Sequence, residues 1–379
     1  MWEIERRKKG KIDEIEGRKS RKYGKRKSRR RWIFTGIFLL LNLWFLGQLR
    51  RLQEYEGVLS LSYPKGSITD SAFSQWKKSV GSENIREAVL WKSKGRQEVL
   101  AESTGHGCTV DGYQIRGQAG ILFGRELAAG RYFTEGEKDV CLLDQETVRQ
   151  LYGSEQVQGL KIRMGEHTWE IIGILKGAQE VCVIPAEKGA GFDGIAVRKK
   201  ETGQSSLLTE SQIRTILGGT DGQLVDGKVY VVSASIFYGI VMGIAFLMAG
   251  LSGKARNKRN TENTENVENT KNTEEKVFWW FCMAAAGAIL AVSFFLAAPG
   301  SDYLPSYWSD FGFFGRLFQE KAEQIQALSL HQEFASWHKM LRLWRQMICA
   351  GIFLGISTGI YGIIIVIGLC QKKSGRFLK

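Results

Sequence analysis

GLKIRMGEHTWEIIGILKG, residues 159–177, reads as two short strands closed by a tight turn. Ile162 and Met164 alternate with Lys161 and Arg163 ahead of Gly165, and Trp169 and Ile171 repeat the alternation after it. A period of two gives each strand one apolar face, and glycine at the first loop position supplies the backbone freedom of a two-residue hairpin. A hairpin with an apolar face needs a core to lie on, so this stretch belongs to a folded domain.

Residues 50–230 are long enough for that domain. In TDSAFSQWKKSVG (69–81), Thr69 or Asp70 caps a helix that lines Phe73, Trp76 and Val80 along one face. IREAVLW (85–91) follows as a strand. In DQETVRQLYG (144–153), Asp144 holds the cap position and Gly153 the stop of a short helix. VCVIP (181–185) is another strand, and in TESQIRTILGG (209–219) Thr209 and Gln212 have the spacing of a capping box. Strands and helices interleave on a small scale, which predicts an α+β domain.

Four apolar stretches flank this domain: 32–49, 231–251, 277–298 and 347–370. Each is close to the roughly 20 residues a helix needs to cross a bilayer. The expected architecture is a membrane protein with four transmembrane helices and an extracytoplasmic α+β domain between the first and second. Arg50 and Arg51 directly after the first stretch argue against a cleaved signal peptide.

The net charge of +14 is concentrated at the ends. Residues 1–31 hold 15 Lys/Arg against 5 Asp/Glu, whereas 50–230 hold 23 against 24 and 371–379 hold 4 against none. Positive charge beside a span keeps that end in the cytoplasm. The basic arm 1–31, the loop 252–276 and the tail 371–379 are therefore expected on the cytoplasmic side of the membrane, and 50–230 and 299–346 outside. The basic arm abuts an apolar span and carries Tyr23 alone among aromatics in residues 18–31, so it fits an orientation signal that meets lipid heads rather than a nucleic-acid platform.

Of six cysteines, Cys108, Cys141 and Cys182 fall in the outer domain, an odd number that argues against a disulfide framework. Cys141 and Cys182 sit in apolar strand-like runs and read as small buried hydrophobes.

LAAGRYFTEGE (127–137), VCLLDQETVRQLYG (140–153), VQGLKIRMGEHTWEIIGILKG (157–177) and VCVIPAEK (181–188) occur in an order that resembles the MacB-like periplasmic core domain of FtsX-like ABC transporter permeases. The resemblance extends to the layout of one span, an outer domain and three further spans. It implies a permease chain that works as a homo- or heterodimer with a separate ABC ATPase and passes mechanical work without a cofactor. It further implies that Gly130, Gly153, Gly159 and Gly173 serve turns and close strand packing. MacB carries its own ATPase ahead of the first span, whereas this sequence contains no G-x-x-x-x-G-K-[ST]. The loop 252–276 includes RNKRNTENTENVENTKNTEEK, a polar repeat expected to be flexible, which argues against a gripped ATPase at that point.

No H-E-x-x-H or C-x-x-C occurs, and the lone G-x-S-x-G, at 355–359, falls inside an apolar stretch without the strand-to-helix turn of a nucleophile elbow, so neither a zinc site nor a hydrolase is written in the sequence. His331 and His338 would lie roughly 10 Å apart along one helix, too far to share an ion. Within the apolar stretches, Ser235, Gly239 and Gly243 on one helix and Gly351, Gly355 and Gly359 on another form small-residue stripes suited to close helix packing. Asn42 is a polar residue near the middle of the first stretch, expected to face another helix. No acid, base or histidine occupies the centre of a span, so ion-coupled transport has no support.

In the outer segment 299–346, Trp308, Phe311, Phe313, Phe314 and Phe318 gather close to a span, where aromatics favour the membrane boundary. Phe334, Trp337, Leu341 and Trp344 recur at spacings of three and four and predict an amphipathic helix lying on the membrane or against the outer domain.

Overall fold

A computed structural model describes residues 36, 37, 39–63, 68–76, 78, 84–187, 189–201, 205–217, 222–261, 284, 287, 288, 301–303, 305, 307, 309–330 and 334–374. These divide into two compact units. One comprises Leu49–Gly239 with Ser293–Ile348, and the other Met1–Gln48, Ile240–Val292 and Cys349–Lys379.

The larger unit is built on one mixed sheet in the order β10-β1-β9-β2-β3-β8-β5-β7-β4, with β6 pairing β2 and β7. Its strands are β1 (Val58–Ser62), β2 (Ile85–Ala101), β3 (Gly107–Gly117), β4 (Leu127–Gly130), β5 (Val140–Asp144), β6 (Lys161–Met164), β7 (His167–Leu175), β8 (Val181–Pro185), β9 (Gly194–Lys199) and β10 (Gln223–Asp226). Two pairings are parallel, β3 with β8 and β5 with β7. Strand β2 is long enough to serve two regions: Leu90 pairs with Ile195 of β9, and Val99 with Met164 of β6. A bulge between Ser93 and Gly95 separates them, and Gly95 takes the positive φ of 69° there.

Helix α1 (39–52) leads through the 3-10 turn Gln53–Tyr55 into β1. Next come α2 (Asp70–Trp76), α3 (Gly120–Phe123), α4 (Gln145–Tyr152) and α5 (Ser206–Leu217). Helices α6 (Gly227–Thr261), α7 (Phe313–Leu330) and α8 (Ala335–Ser374) complete the described set.

Among the described residues, two apolar cores form on the sheet. Phe73 and Trp76 of α2 and Ile213 of α5 pack with Leu59, Leu61, Leu90, Phe192, Ile195 and Val197. Val148 and Leu151 of α4 pack with Val99, Cys141, Leu143, Ile162, Ile171 and Cys182. The opening hairpin belongs to the second core: β6 and β7 meet at Met164 and His167 across Gly165 and Glu166, and Ile162 and Ile171 are fully buried. Cys141 and Cys182 are buried free thiols, and burial pushes the Cys141 thiol up from its usual value.

Asp144 explains why β5 turns into α4. Its carboxylate accepts from Glu146 N at 3.3 Å, Val181 N at 3.1 Å, Gln179 N at 2.9 Å and the Thr147 hydroxyl, so a buried charge caps the helix and pins the start of β8. The cap expected at Thr209 is corrected. Helix α5 begins a turn earlier because the Ser205 hydroxyl accepts from Leu208 N, and Thr209, inside the first turn, donates back to the Ser205 carbonyl.

Among the described residues, one stretch, Gly227–Ile244, is long and apolar enough to cross a membrane, with a mean hydropathy of 1.5. The expected spans 231–251 and 347–370 fall within α6 and α8, and the described part of 32–49 is helical. The span 277–298 lies outside the described residues but for 284, 287 and 288, as do the basic arm 1–31, Val80, Trp308 and His331. In the smaller unit, Asn42 and Phe45 are buried while Leu40, Leu43, Phe353 and Ile356 are exposed.

Candidate functional site

The larger unit gathers its buried charge where strands become helices. The short strands β1 and β10 are antiparallel neighbours, with Leu59 opposite Asp226, so the chain enters and leaves the sheet side by side. Neither junction has a flexible linker: two residues separate Tyr55 from β1, and Asp226 ends β10 one residue before α6. Gly227 packs against the Tyr55 backbone so closely that a Cβ there would lie 1.9 Å from the Tyr55 carbonyl oxygen.

Asp226 caps α6, its Oδ1 accepting from Lys228 N at 3.0 Å. Burial raises the Asp226 carboxyl against the opposing pull of Lys199, and burial likewise lowers the Lys199 ammonium. Lys199 Nζ donates to Ser206 Oγ at 2.9 Å. At the head of α5, Asp302 accepts from Ser206 N at 2.6 Å and from the Ser205 hydroxyl, which docks the 3-10 turn Ser301–Tyr303 onto that helix end. Lys228 is 1% exposed, its Nζ has no hydrogen-bond acceptor among the described residues, and the Tyr303 ring lies 5.9 Å away. Glu56 completes the group; burial raises its carboxyl while Lys228 and Lys199 lower it. Five charged side chains from distant parts of the chain thus gather at the base of the sheet. Such a group tolerates little displacement, because separating buried partners leaves charge uncompensated.

The start of α8 is fixed to the same unit. Phe334 packs at 4.9 Å from Trp91, 5.1 Å from Tyr113 and 5.5 Å from Phe123, ring centroid to ring centroid. Trp337 and Leu341 are buried beyond it, and Trp344 Nε1 donates to Ser233 Oγ of α6 at 2.9 Å. The stripe expected to lie on the membrane or on the outer domain therefore lies on the domain.

Gly130 and Gly173 are brought face to face across β4 and β7. A Cβ on Gly130 would sit 2.2 Å from the Ile172 carbonyl oxygen, and one on Gly173 would sit 2.5 Å from that of Arg131. Gly153 and Gly159 are open to added atoms but adopt positive φ of 65° and 82°. Gly355 approaches Val241 with 3.8 Å between a built Cβ and Val241 Cγ1, Gly239 and Gly243 have nothing within 4 Å, and Ser235 and Gly351 are buried. The Gly359 side lies outside what is described.

Among the described residues no group of His, Cys, Asp and Glu is placed to hold a metal ion. The buried charges escaped sequence reading, although Asp226 immediately before an apolar run is a cap signal. What the arrangement can do is mechanical: it joins strand ends, helix ends and an outer turn without slack.

Residues 49–220 match the family model of the MacB-like periplasmic core domain. No curated protein matches the chain. Among solved structures, the periplasmic region of MacB from Actinobacillus actinomycetemcomitans is 14% identical over 55% of this chain and 94% of its own, with a TM-score of 0.40. The extracellular domain of the noncanonic ABC-type transporter YknZ from Gram-positive bacteria is 14% identical over 44% of this chain and 99% of its own, with a TM-score of 0.36.

Proposed function

We propose that the chain, whose residues 49–220 match the family model of the MacB-like periplasmic core domain, is the membrane subunit of a MacB-like or FtsX-like ABC transporter, transmitting movement to its outer domain from an ATPase on another chain. The observation that carries this reading is the linker-free passage from β10 to α6 beside Tyr55. A helix continuous with a strand and locked by backbone contact passes a tilt or shift directly into the sheet. A tethered domain would need a flexible joint instead. In this reading the chain sits in a bacterial plasma membrane with four spans and both termini cytoplasmic, and it works as a dimer.

A second reading, a membrane-anchored sensor or scaffold that keeps the layout without ATP coupling, is favoured by the polar character of 252–276. Purification from the native host in mild detergent separates the two. Recovery of a Walker-motif ATPase, whose turnover changes when this chain is added, supports the transporter subunit. Repeated recovery without one leaves the scaffold.

A further inference from the structure

The two aromatic sets of the outer segment have opposite fates. Phe334 and Trp337 are buried in the domain, whereas Tyr307, Phe311, Phe314 and Phe318 are 77%, 92%, 53% and 77% exposed. Phe314 and Phe318 stand one turn apart on α7 and share one side of it, and Phe311 lies in the turn just before the helix. Exposed aromatics of this size in a row call for an occupant.

The surroundings identify it. On the face bordering Phe314 and Phe318, α7 lies against the base of the sheet: Leu328 is fully buried, Lys321 is largely buried near Asp226, and Glu320 lies near Tyr303. Asp226 is the last residue before α6, whose first 18 residues form the stretch able to cross a membrane. The bare aromatics therefore flank the end of the domain from which that helix departs. Leu207 and Leu208, 49% and 65% exposed on the first turn of α5, belong to the same end, because Asp302 ties that turn to the segment leading into α7. Charges beside the stripe are of both signs, Arg316 pairing with Asp310 while Glu320 and Glu323 follow. Such a border suits a zwitterionic headgroup layer, and aromatic rings favour the boundary between headgroups and acyl chains.

We propose that Tyr307, Phe311, Phe314 and Phe318 insert into the outer leaflet and make α7 a second foothold of the domain on the bilayer, separate from the helices that cross it. The inference rests on the membrane reading above. The test uses the full chain in phosphatidylcholine nanodiscs that carry a lipid-dissolved diazirine; after photolysis, modified residues are mapped by mass spectrometry. The expected result is modification within 307–318 as well as within 231–244. In the double variant F314S/F318S, modification of 307–318 should fall to the level of the water-exposed turn around Gly105 at an unchanged melting temperature. Modification of 231–244 without 307–318 overturns the foothold and leaves the membrane reading standing. Absence of both overturns the two together. Cross-linking of Phe318→Cys between two copies, with 307–318 unmodified, would assign the stripe to a protein interface and overturn the proposal.

Discussion

Gly227 and Tyr55 meet backbone to backbone, leaving no room for a single added carbon. Substitution by alanine therefore pushes α6 away from the turn that ends α1. Gly227→Ala should cost about 1–3 kcal/mol, the usual range for overpacking. Gly243→Ala, where nothing lies within 4 Å, should stay within about 0.5 kcal/mol. Thermal unfolding of the detergent-solubilised chain checks both; equal midpoints would dismiss the contact.

Gly130 and Gly159 share a positive φ but differ in space. Gly159→Ala should lose roughly 1–2 kcal/mol through backbone strain alone. Gly130→Ala adds a collision with the Ile172 carbonyl and should lose clearly more. A melting comparison of the two variants reads the difference, and its sign is the prediction.

Phe334 fills a pocket lined by Trp91, Tyr113 and Phe123. Phe334→Ala should cost about 3–5 kcal/mol, as for other buried aromatics. Protease cutting should rise first near the start of α8, since the ring anchors that helix to the domain. Unchanged cutting would mean that Trp337 and Leu341 suffice.

Gly355 has ordinary contact distance to Val241 for a Cβ and no more. Gly355→Ala should be tolerated, while Gly355→Leu should cost about 1–3 kcal/mol and impair any coupled activity. A leucine variant as stable and active as its parent would show that the two helices do not depend on this approach.

Glu137 accepts from both Arg131, at 2.6 Å, and Thr134 N, and these bonds lower its carboxyl from 4.5 to about 2. A carboxyl depressed by folding adds stability above its unfolded value, and that contribution fades as the pH falls from about 4.5 towards 2. Glu137→Gln should flatten that part of the stability-versus-pH curve and leave the rest unchanged. The effect is modest because the pair is solvent-exposed.

The parts of the fold legible in the sequence were those governed by near neighbours. Alternation across Gly165 fixes the β6–β7 hairpin, and Asp144 with Gly153 brackets α4. The start of α5 was misread because Ser205, one turn upstream, outcompetes Thr209 for the same cap, and both have the right chemistry. The base was illegible for another reason. Lys199, Asp226 and Asp302 gain meaning only when β9, β10 and the turn at Ser301–Tyr303 converge, and no local period records that convergence. Spacing marked Phe334 and Trp337 as one face but could not name the aromatic rings that cover it.

The pairing of β1 between β9 and β10 sets an order of assembly. Ser60 donates to the Ile195 carbonyl, a partner 135 residues further along the chain. During synthesis β1 is made first and seated last, and closing so long a loop slows its docking. Until β9 and β10 emerge, β1 has neither of its neighbours and exposes two unpaired edges. The helix ahead of it is thus made long before its own strand has a sheet to join, and a truncation anywhere before Lys199 leaves that strand without a home.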